Sequence, residues 1–104
     1  MKKARRPRYP LTAIKAAFAD AARINRTMTA ADGAENLGMD EYAVVDLIRS
    51  LTARDFDKSM PSEVNPEIWQ DVYKPVAEAR ELYVKFTLDS RGEFLLISFK
   101  ENTP

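Results

Sequence analysis

Two runs near the C-terminus alternate apolar and polar residues, and their polar positions carry side chains that can bind phosphate and move protons. The first run has Tyr83 and Lys85 on its polar side, and the second has Ser98 and Lys100. The sequence DSRG between them predicts a hairpin turn. Because directly paired residues share a face, aligning the two apolar sides puts Tyr83 opposite Ser98 or Lys100. The pattern therefore predicts two lysines and a phenol on one small patch of a sheet.

The chain contains no histidine and no cysteine, which narrows the chemistry of such a patch. Histidine metal sites, a serine–histidine triad, thiolate ligands and a cysteine nucleophile are all excluded. Lysine and tyrosine have ordinary pKa values of about 10.4 and 10, so either one needs a perturbed pKa to act as a base near neutrality. Neighbouring lysines on one face would provide such a perturbation.

Plainer interpretations of the polar residues stay open at this point. Lysine, tyrosine and serine are ordinary residents of a solvated sheet face, which need perform no chemistry. Asp55 and Asp57 could bind a divalent ion, although two carboxylates without further ligands are more often surface charge. Trp69 and Tyr73 could stack on bases, although aromatic residues in strands usually pack against other side chains. Ser59 and Ser98 lack a histidine base to activate them.

The first half of the chain is predicted to be helical. Thr29 is expected to cap a short second helix that stops at Gly38, and Asp40 to start the third. The first and third helices are indicated by apolar stripes at helical spacing: Leu11, Ile14, Phe18 and Ala21, then Val44, Leu47, Ile48 and Leu51.

The second half is predicted to be a sheet, with strands over residues 56–60, 68–74, 82–88 and 94–100. The last two strands have apolar sides that would face a core: Leu82, Val84, Phe86 and Leu88, then Leu95, Ile97 and Phe99. Helices followed by strands indicate an α+β fold, with N-terminal helices packed on a mainly antiparallel sheet.

Length and charge are those of one small domain with a basic end. The 104 residues are expected to form a single domain, 1–104, with a basic, flexible arm at residues 1–9. Residues 1–26 carry eight Lys or Arg and one acid, whereas residues 27–104 carry eight and fifteen. The arm could therefore contact a nucleic acid. No secretory signal or membrane span is visible, so a cytoplasmic protein without membrane contact is expected.

The sequence DFDKSMPSEVNPEIWQDVYKP, which starts at Asp55, resembles the signature of the motility quorum-sensing regulator (MqsR) toxin family. The shared pattern is DFxKSM, a polar spacer and IWQDVYxP, followed by a Tyr-x-Lys step at Tyr83 and a terminal SFKE that contains Lys100. The resemblance is strong from Leu51 to Glu101. It is thinner over the helical half, where LGMDEY and the helix spacing agree.

The resemblance implies a RelE-like fold and a ribosome-independent mRNA endoribonuclease. Such a toxin prefers short sequences such as GCU, inhibits translation and growth, and is neutralised by a cognate antitoxin. It implies no metal and no other cofactor. The implied catalytic residues are Lys58, Gln70, Tyr83 and Lys100. Further candidates for RNA binding are Lys85 and Ser98 of the patch, Tyr73 of the 68–74 strand, and Arg5, Arg6 and Arg8 of the arm.

RNA supplies its own nucleophile, the 2′-hydroxyl, so a metal-free ribonuclease needs a base, an acid and stabilisation of phosphorane charge. One hypothesis has Tyr83 or Lys58 as the base, Lys100 holding the phosphate and Gln70 donating a hydrogen bond, with base and acid exchangeable. The alternative is a non-catalytic RNA- or protein-binding α+β module. The antitoxin side of such a pair is disfavoured because zinc ligands and a basic recognition helix after Gly38 are absent.

Overall fold

Helices and strands follow one another in the predicted order. The computed structural model describes residues 4–103. Within them lie the helices α1 (Leu11–Ala17), α2 (Met28–Asn36) and α3 (Glu41–Ser50), with 3₁₀ turns at Ala21–Arg23 and Ala53–Asp55. The strands are β1 (Phe56–Pro61), β2 (Trp69–Tyr73), β3 (Val76–Ala77), β4 (Arg80–Leu88) and β5 (Phe94–Glu101). The predicted α+β class is confirmed. None of the described helices is long and apolar enough to cross a membrane.

Local backbone chemistry sets most helix ends. Asp40 starts α3 as predicted, because its carboxylate accepts the backbone N–H three residues on at 2.9 Å. Gly38 follows α2 with a φ of 72°, which confirms the predicted left-handed stop. The predicted extension of the first helix to Ala21 is wrong. The side chain of Asp20 caps a separate 3₁₀ turn there instead.

The predicted cap of the second helix is wrong by two residues. Thr27, not Thr29, caps α2, since its hydroxyl oxygen accepts the Ala30 N–H at 3.1 Å. The N–H of Thr27 donates to the Leu96 carbonyl of β5 at 3.1 Å. This contact holds Thr27 in the extended conformation that a capping residue adopts. A tertiary contact therefore chooses between two threonines that the local sequence does not distinguish.

The strands form one antiparallel sheet in the order β1–β2–β4–β5, and β3 lies beside the start of β4. Tyr73 is opposite Val84 and Val76 is opposite Glu81, which is the same register. β3 thus continues β2 along one edge of β4. The interruption falls at Pro75, which has no N–H to donate to the ladder.

The helices cover one face of this sheet, which we call the helix-facing side. Leu82, Val84 and Phe86 of β4 point to this side and are buried, as predicted. The Phe18 ring lies 5.4 Å from the Phe86 ring, centroid to centroid. The four apolar positions of the third helical stripe are buried in the same cluster. The alternate residues of β4 must therefore point to the opposite side of the sheet.

A β-bulge in β5 changes which of its residues reach the core. The register with β4 slips by one residue at Ile97, so Leu96 turns inward and is fully buried. The predicted core positions Leu95 and Ile97 are therefore wrong, since both are only partly buried. The cause lies outside the strand. Leu96 is tied through its own N–H and C=O to the segment before α2, where the Asn25 carbonyl accepts at 3.0 Å.

Residues 4–9, part of the predicted flexible arm, are bonded to the sheet. The buried carboxylate of Asp71 accepts the backbone N–H groups of Arg8 at 3.0 Å and Tyr9 at 2.9 Å. Ala4 pairs with Ser59 at the free edge of β1. Asp71 lies on the helix-facing side, so this part of the arm is held at that edge and side. Residues 1–3 of the predicted arm lie outside the described residues.

Candidate active site

The polar residues predicted to share one face of the hairpin do so. Tyr83 is directly opposite Lys100, which decides between the two predicted registers, and Lys85 is opposite Ser98. These positions alternate with the buried apolar residues of β4 and point away from the helices. We call this side of the sheet the open face.

Lys58 and Gln70, which the sequence connects to the site only through the resemblance, lie on the same face. Val72 of β2 is opposite Lys58 on one side and opposite Lys85 on the other. Gln70 follows in the next row, opposite Met60. The sheet therefore brings all four candidate catalytic residues onto the open face, and the central strand β4 places Lys85 among them.

Two ammonium groups lie close to the Tyr83 ring. Lys85 Nζ is 5.7 Å and Lys100 Nζ is 5.5 Å from the ring centroid. Both distances are within the range of cation–π attraction, which orients the lysines around the phenol. Three lysines on one small face form a positively charged cluster suited to a phosphate group.

Burial and charge move two pKa values on the open face in opposite directions. The pKa of Lys85 is lowered, first by burial and then by the positive charges of Lys100 and Lys58. The pKa of Tyr83 is raised, mainly by burial, with Lys74 opposing the effect and Asp57 adding to it. Lys85 therefore gives up its proton more easily than an ordinary lysine, whereas Tyr83 keeps its proton more firmly.

The directions of these two pKa shifts argue against the hypothesis that Tyr83 is the base. A base must be unprotonated in a useful fraction of molecules, and the raised pKa of Tyr83 reduces that fraction. A raised pKa suits a group that donates a proton. The lowered pKa of Lys85 suits it to act as the base. The sequence predicts Lys85 only as an RNA-binding residue.

The two acidic residues considered as a metal site have separate partners. The Asp55 carboxylate accepts the Thr52 N–H at 2.8 Å and so closes a 3₁₀ turn. The Asp57 carboxylate lies 3.5 Å from Lys74 Nζ beside the open face. Across residues 4–103, no three Asp or Glu side chains gather into a group that could hold a metal ion. The two carboxylates thus serve the turn and an ion pair.

Tyr73 is not part of the open face, and its predicted role in RNA binding is wrong. Its side chain is fully buried on the helix-facing side, between Phe56 at 5.6 Å and Phe86 at 6.0 Å, measured between ring centroids. Burial, with a smaller contribution from Asp71, raises the pKa of Tyr73 to about 12. The ring is a core residue that RNA cannot reach.

The structure does not bring the arginines of the arm to the open face. Arg5, Arg6 and Arg8 are exposed, but the segment is fastened through Asp71 on the helix-facing side. Arg6 and Arg8 line a small cavity of about 180 Å³ beside Trp69. An RNA held on the open face would reach them only by passing around the edge of β1.

Two cavities flank Lys85, and the sequence predicts the residues of the first but not those of the second. One, of about 270 Å³, is lined by Tyr83, Lys85, Ser98 and Lys100, together with Glu101 and the two residues that follow β5. The other, of about 370 Å³, lies between Lys85 and the loop of residues 62–68. That loop has no periodic pattern, so nothing in the sequence signals that it lines a cavity.

Comparisons with known proteins show which family the chain resembles over most of its length. A family model described as "Motility quorum-sensing regulator, toxin of MqsA" matches residues 6–101. The mRNA interferase toxin MqsR of Escherichia coli (strain K12) is 34% identical over 97 residues, which cover 93% of this chain and 96% of the relative. The match to the family model spans the helices and all the strands, so it contains the whole open face.

Proposed function

We propose that this chain, which belongs to the motility quorum-sensing regulator toxin family, is an endoribonuclease toxin that cuts mRNA on the open face. The observation that carries the proposal is the grouping on one face of Tyr83 with Lys85 and Lys100 over its ring and Lys58 in the row of Lys85. The lysines attract a phosphodiester, and the two shifted pKa values provide an acid and a base. The name of the E. coli relative, an mRNA interferase, supports RNA as the substrate.

In the proposed reaction the unprotonated amine of Lys85 takes the proton of a ribose 2′-hydroxyl. The resulting oxygen attacks the adjacent phosphorus, and the bond from phosphorus to the 5′-oxygen of the next nucleotide breaks. Tyr83 gives its phenolic proton to that leaving oxygen. The products are a 2′,3′-cyclic phosphate and a free 5′-hydroxyl. Exchange with water then returns the proton from the Lys85 ammonium to the Tyr83 phenolate.

The groups around Lys85 and Tyr83 stabilise the negative charge of the transition state. Lys58 and Lys100 flank Lys85 and Tyr83, so their ammonium groups offset the charge that builds up on the phosphorane. The Gln70 amide lies on the same face and donates a hydrogen bond to a nonbridging oxygen. No metal ion takes part in this scheme.

Family membership also supports a partner and a biological effect. The family's description names a toxin of MqsA, a second protein, and a cognate antitoxin is proposed to neutralise this chain in the same way. Cleavage of mRNA would stop translation and growth until that partner binds. The proposed enzyme prefers GCU-type sites and cleaves mRNA without the ribosome.

Purified protein is expected to cleave a defined RNA in the presence of EDTA and to leave 2′,3′-cyclic phosphate and 5′-hydroxyl ends. The reason is that the proposed acid, base and cations all belong to the chain itself. Mass spectrometry of the fragments identifies the ends. Loss of cleavage in EDTA with recovery in Mg²⁺ would contradict the metal-free scheme. A folded protein that binds RNA without cleaving it would support the non-catalytic module instead.

The cleavage rate is expected to rise with pH, because Lys85 acts in its unprotonated form. Below the pKa of Lys85, which lies under the ordinary 10.5, kcat/KM should increase by about tenfold per pH unit. Lys85→Arg keeps the positive charge, but its guanidinium does not lose its proton in this range. The variant should therefore lose the rising limb. A Lys85→Arg variant with the parent's pH profile would show that Lys85 acts only as a cation.

A further inference from the structure

The cavity between Lys85 and the loop of residues 62–68 differs in chemistry from the lysine cluster beside it. Its lining includes the apolar side chains of Met60 and Val64, the Gln70 amide and the Glu63 carboxylate. Val64 is 95% exposed. Glu63 is close enough to Lys85 to oppose the lowering of its pKa. A carboxylate at this rim repels phosphate, so the cavity suits a neutral group.

We infer that this cavity is a subsite for one nucleobase of the RNA, next to the scissile phosphate. The inference rests on the proposed function, because Lys85 forms a wall common to this cavity and to the one lined by Tyr83 and Lys100. A phosphate bound at Lys85 therefore has a neighbouring nucleotide directly beside Met60 and Val64. A substrate threaded across the open face would place one base there.

The lining matches the two kinds of surface that a nucleobase presents. The ring faces are apolar and can lie against Met60 and Val64, while the polar ring edge can bond to Gln70 and Glu63. With one N–H of Gln70 donated to the phosphate, its second N–H and its carbonyl oxygen remain for the base, and Glu63 accepts only. An exocyclic amino group would therefore be preferred at the edge that faces Glu63.

The loop that carries Val64 is held in place by its own hydrogen bonds. The Ser62 N–H donates to the Ile68 carbonyl at 2.8 Å, and the Ile68 N–H donates to Asn65 at 2.9 Å. The Val64 N–H donates to the Ser62 hydroxyl at 3.2 Å. A loop ordered before binding loses less entropy when a base enters, which favours discrimination between bases.

The test uses DNA oligonucleotides that contain a single ribonucleotide, so that only one bond can be cut. The base on each side of that bond is varied in turn, and kcat/KM is measured for the parent, for Met60→Ala/Val64→Ala and for Met28→Ala/Val76→Ala. The last variant is a matched control. Met28 and Val76 are 76% and 69% exposed and do not line this cavity.

The parent is expected to prefer particular bases on one side of the bond. The Met60→Ala/Val64→Ala variant should change the ratio between best and worst base on that side by roughly tenfold. The control should keep the parent's ratios. Unchanged ratios in the folded Met60→Ala/Val64→Ala variant would overturn the subsite. If that variant does not fold, Val64→Ala alone decides the question, since so exposed a side chain contributes little packing.

A parent that cleaves neither these oligonucleotides nor an all-RNA strand of the same sequence would overturn the proposed function, not the subsite. All-DNA versions of the same series lack the 2′-hydroxyl and measure base preference through binding alone. A preference that the parent shows and Val64→Ala loses supports the subsite in that case. Equal binding of all bases by the parent overturns it.

Discussion

A Tyr83→Phe variant is expected to cleave RNA about a thousandfold more slowly than the parent, the range typical of removing a general acid. The substitution deletes only the phenolic oxygen and leaves the ring between Lys85 and Lys100. The raised pKa of Tyr83 keeps this proton available for the leaving 5′-oxygen near neutral pH. Single-turnover cleavage of a defined RNA, with enzyme in excess, measures the chemical step directly.

Tyr42→Phe is the matched control for this substitution. Tyr42 lies on α3, is 72% exposed and belongs to the opposite side of the molecule from the open face. It should leave the cleavage rate unchanged. Both variants should unfold at the parent's free energy, because neither hydroxyl is part of the core. Equal rates for Tyr83→Phe and the parent would remove Tyr83 from the reaction and return the acid role to a lysine.

The arrangement of the open face also shows how much of the site the sequence alone predicts. Alternation in the last two strands was enough to place Tyr83, Lys85, Ser98 and Lys100 on one face, because a strand has a fixed period of two. The same rule failed at Leu95 and Ile97, where a bulge breaks the period. That bulge is set by a contact from the segment before α2, which no local pattern contains.

The roles within the site depended on quantities that a sequence does not carry. The alternation predicts only that Tyr83 and Lys85 are polar residues on one face, and it does not distinguish the acid from the base. Their pKa values separate only when burial and the neighbouring charges are known. Lys58 is an example of such a neighbour. It is far from Lys85 in sequence and reaches it through the shared pairing with Val72.

Replacing Gly33 of α2 with alanine is expected to lower the free energy of unfolding by about 3 kcal/mol, the upper range for overpacking. A methyl group at this position would overlap the Phe99 carbonyl oxygen of β5. Backbone cannot move aside as the end of a flexible side chain can. The helix must therefore shift away from the strand, although alanine is the better helix former. Urea unfolding followed by circular dichroism measures the change.

Gly38→Ala separates this overlap from the general cost of replacing a glycine. Gly38 has a positive φ but nothing within 4 Å of the added carbon, so its substitution should cost only about 1 kcal/mol. A Gly33→Ala variant more stable than the parent would mean that helix propensity outweighs the overlap. Cleavage activity is a second readout, because Phe99 directly precedes the site residue Lys100 in β5. Shifting α2 should disturb that end of the strand, so Gly33→Ala is expected to slow cleavage even where the protein remains folded, whereas Gly38→Ala should not.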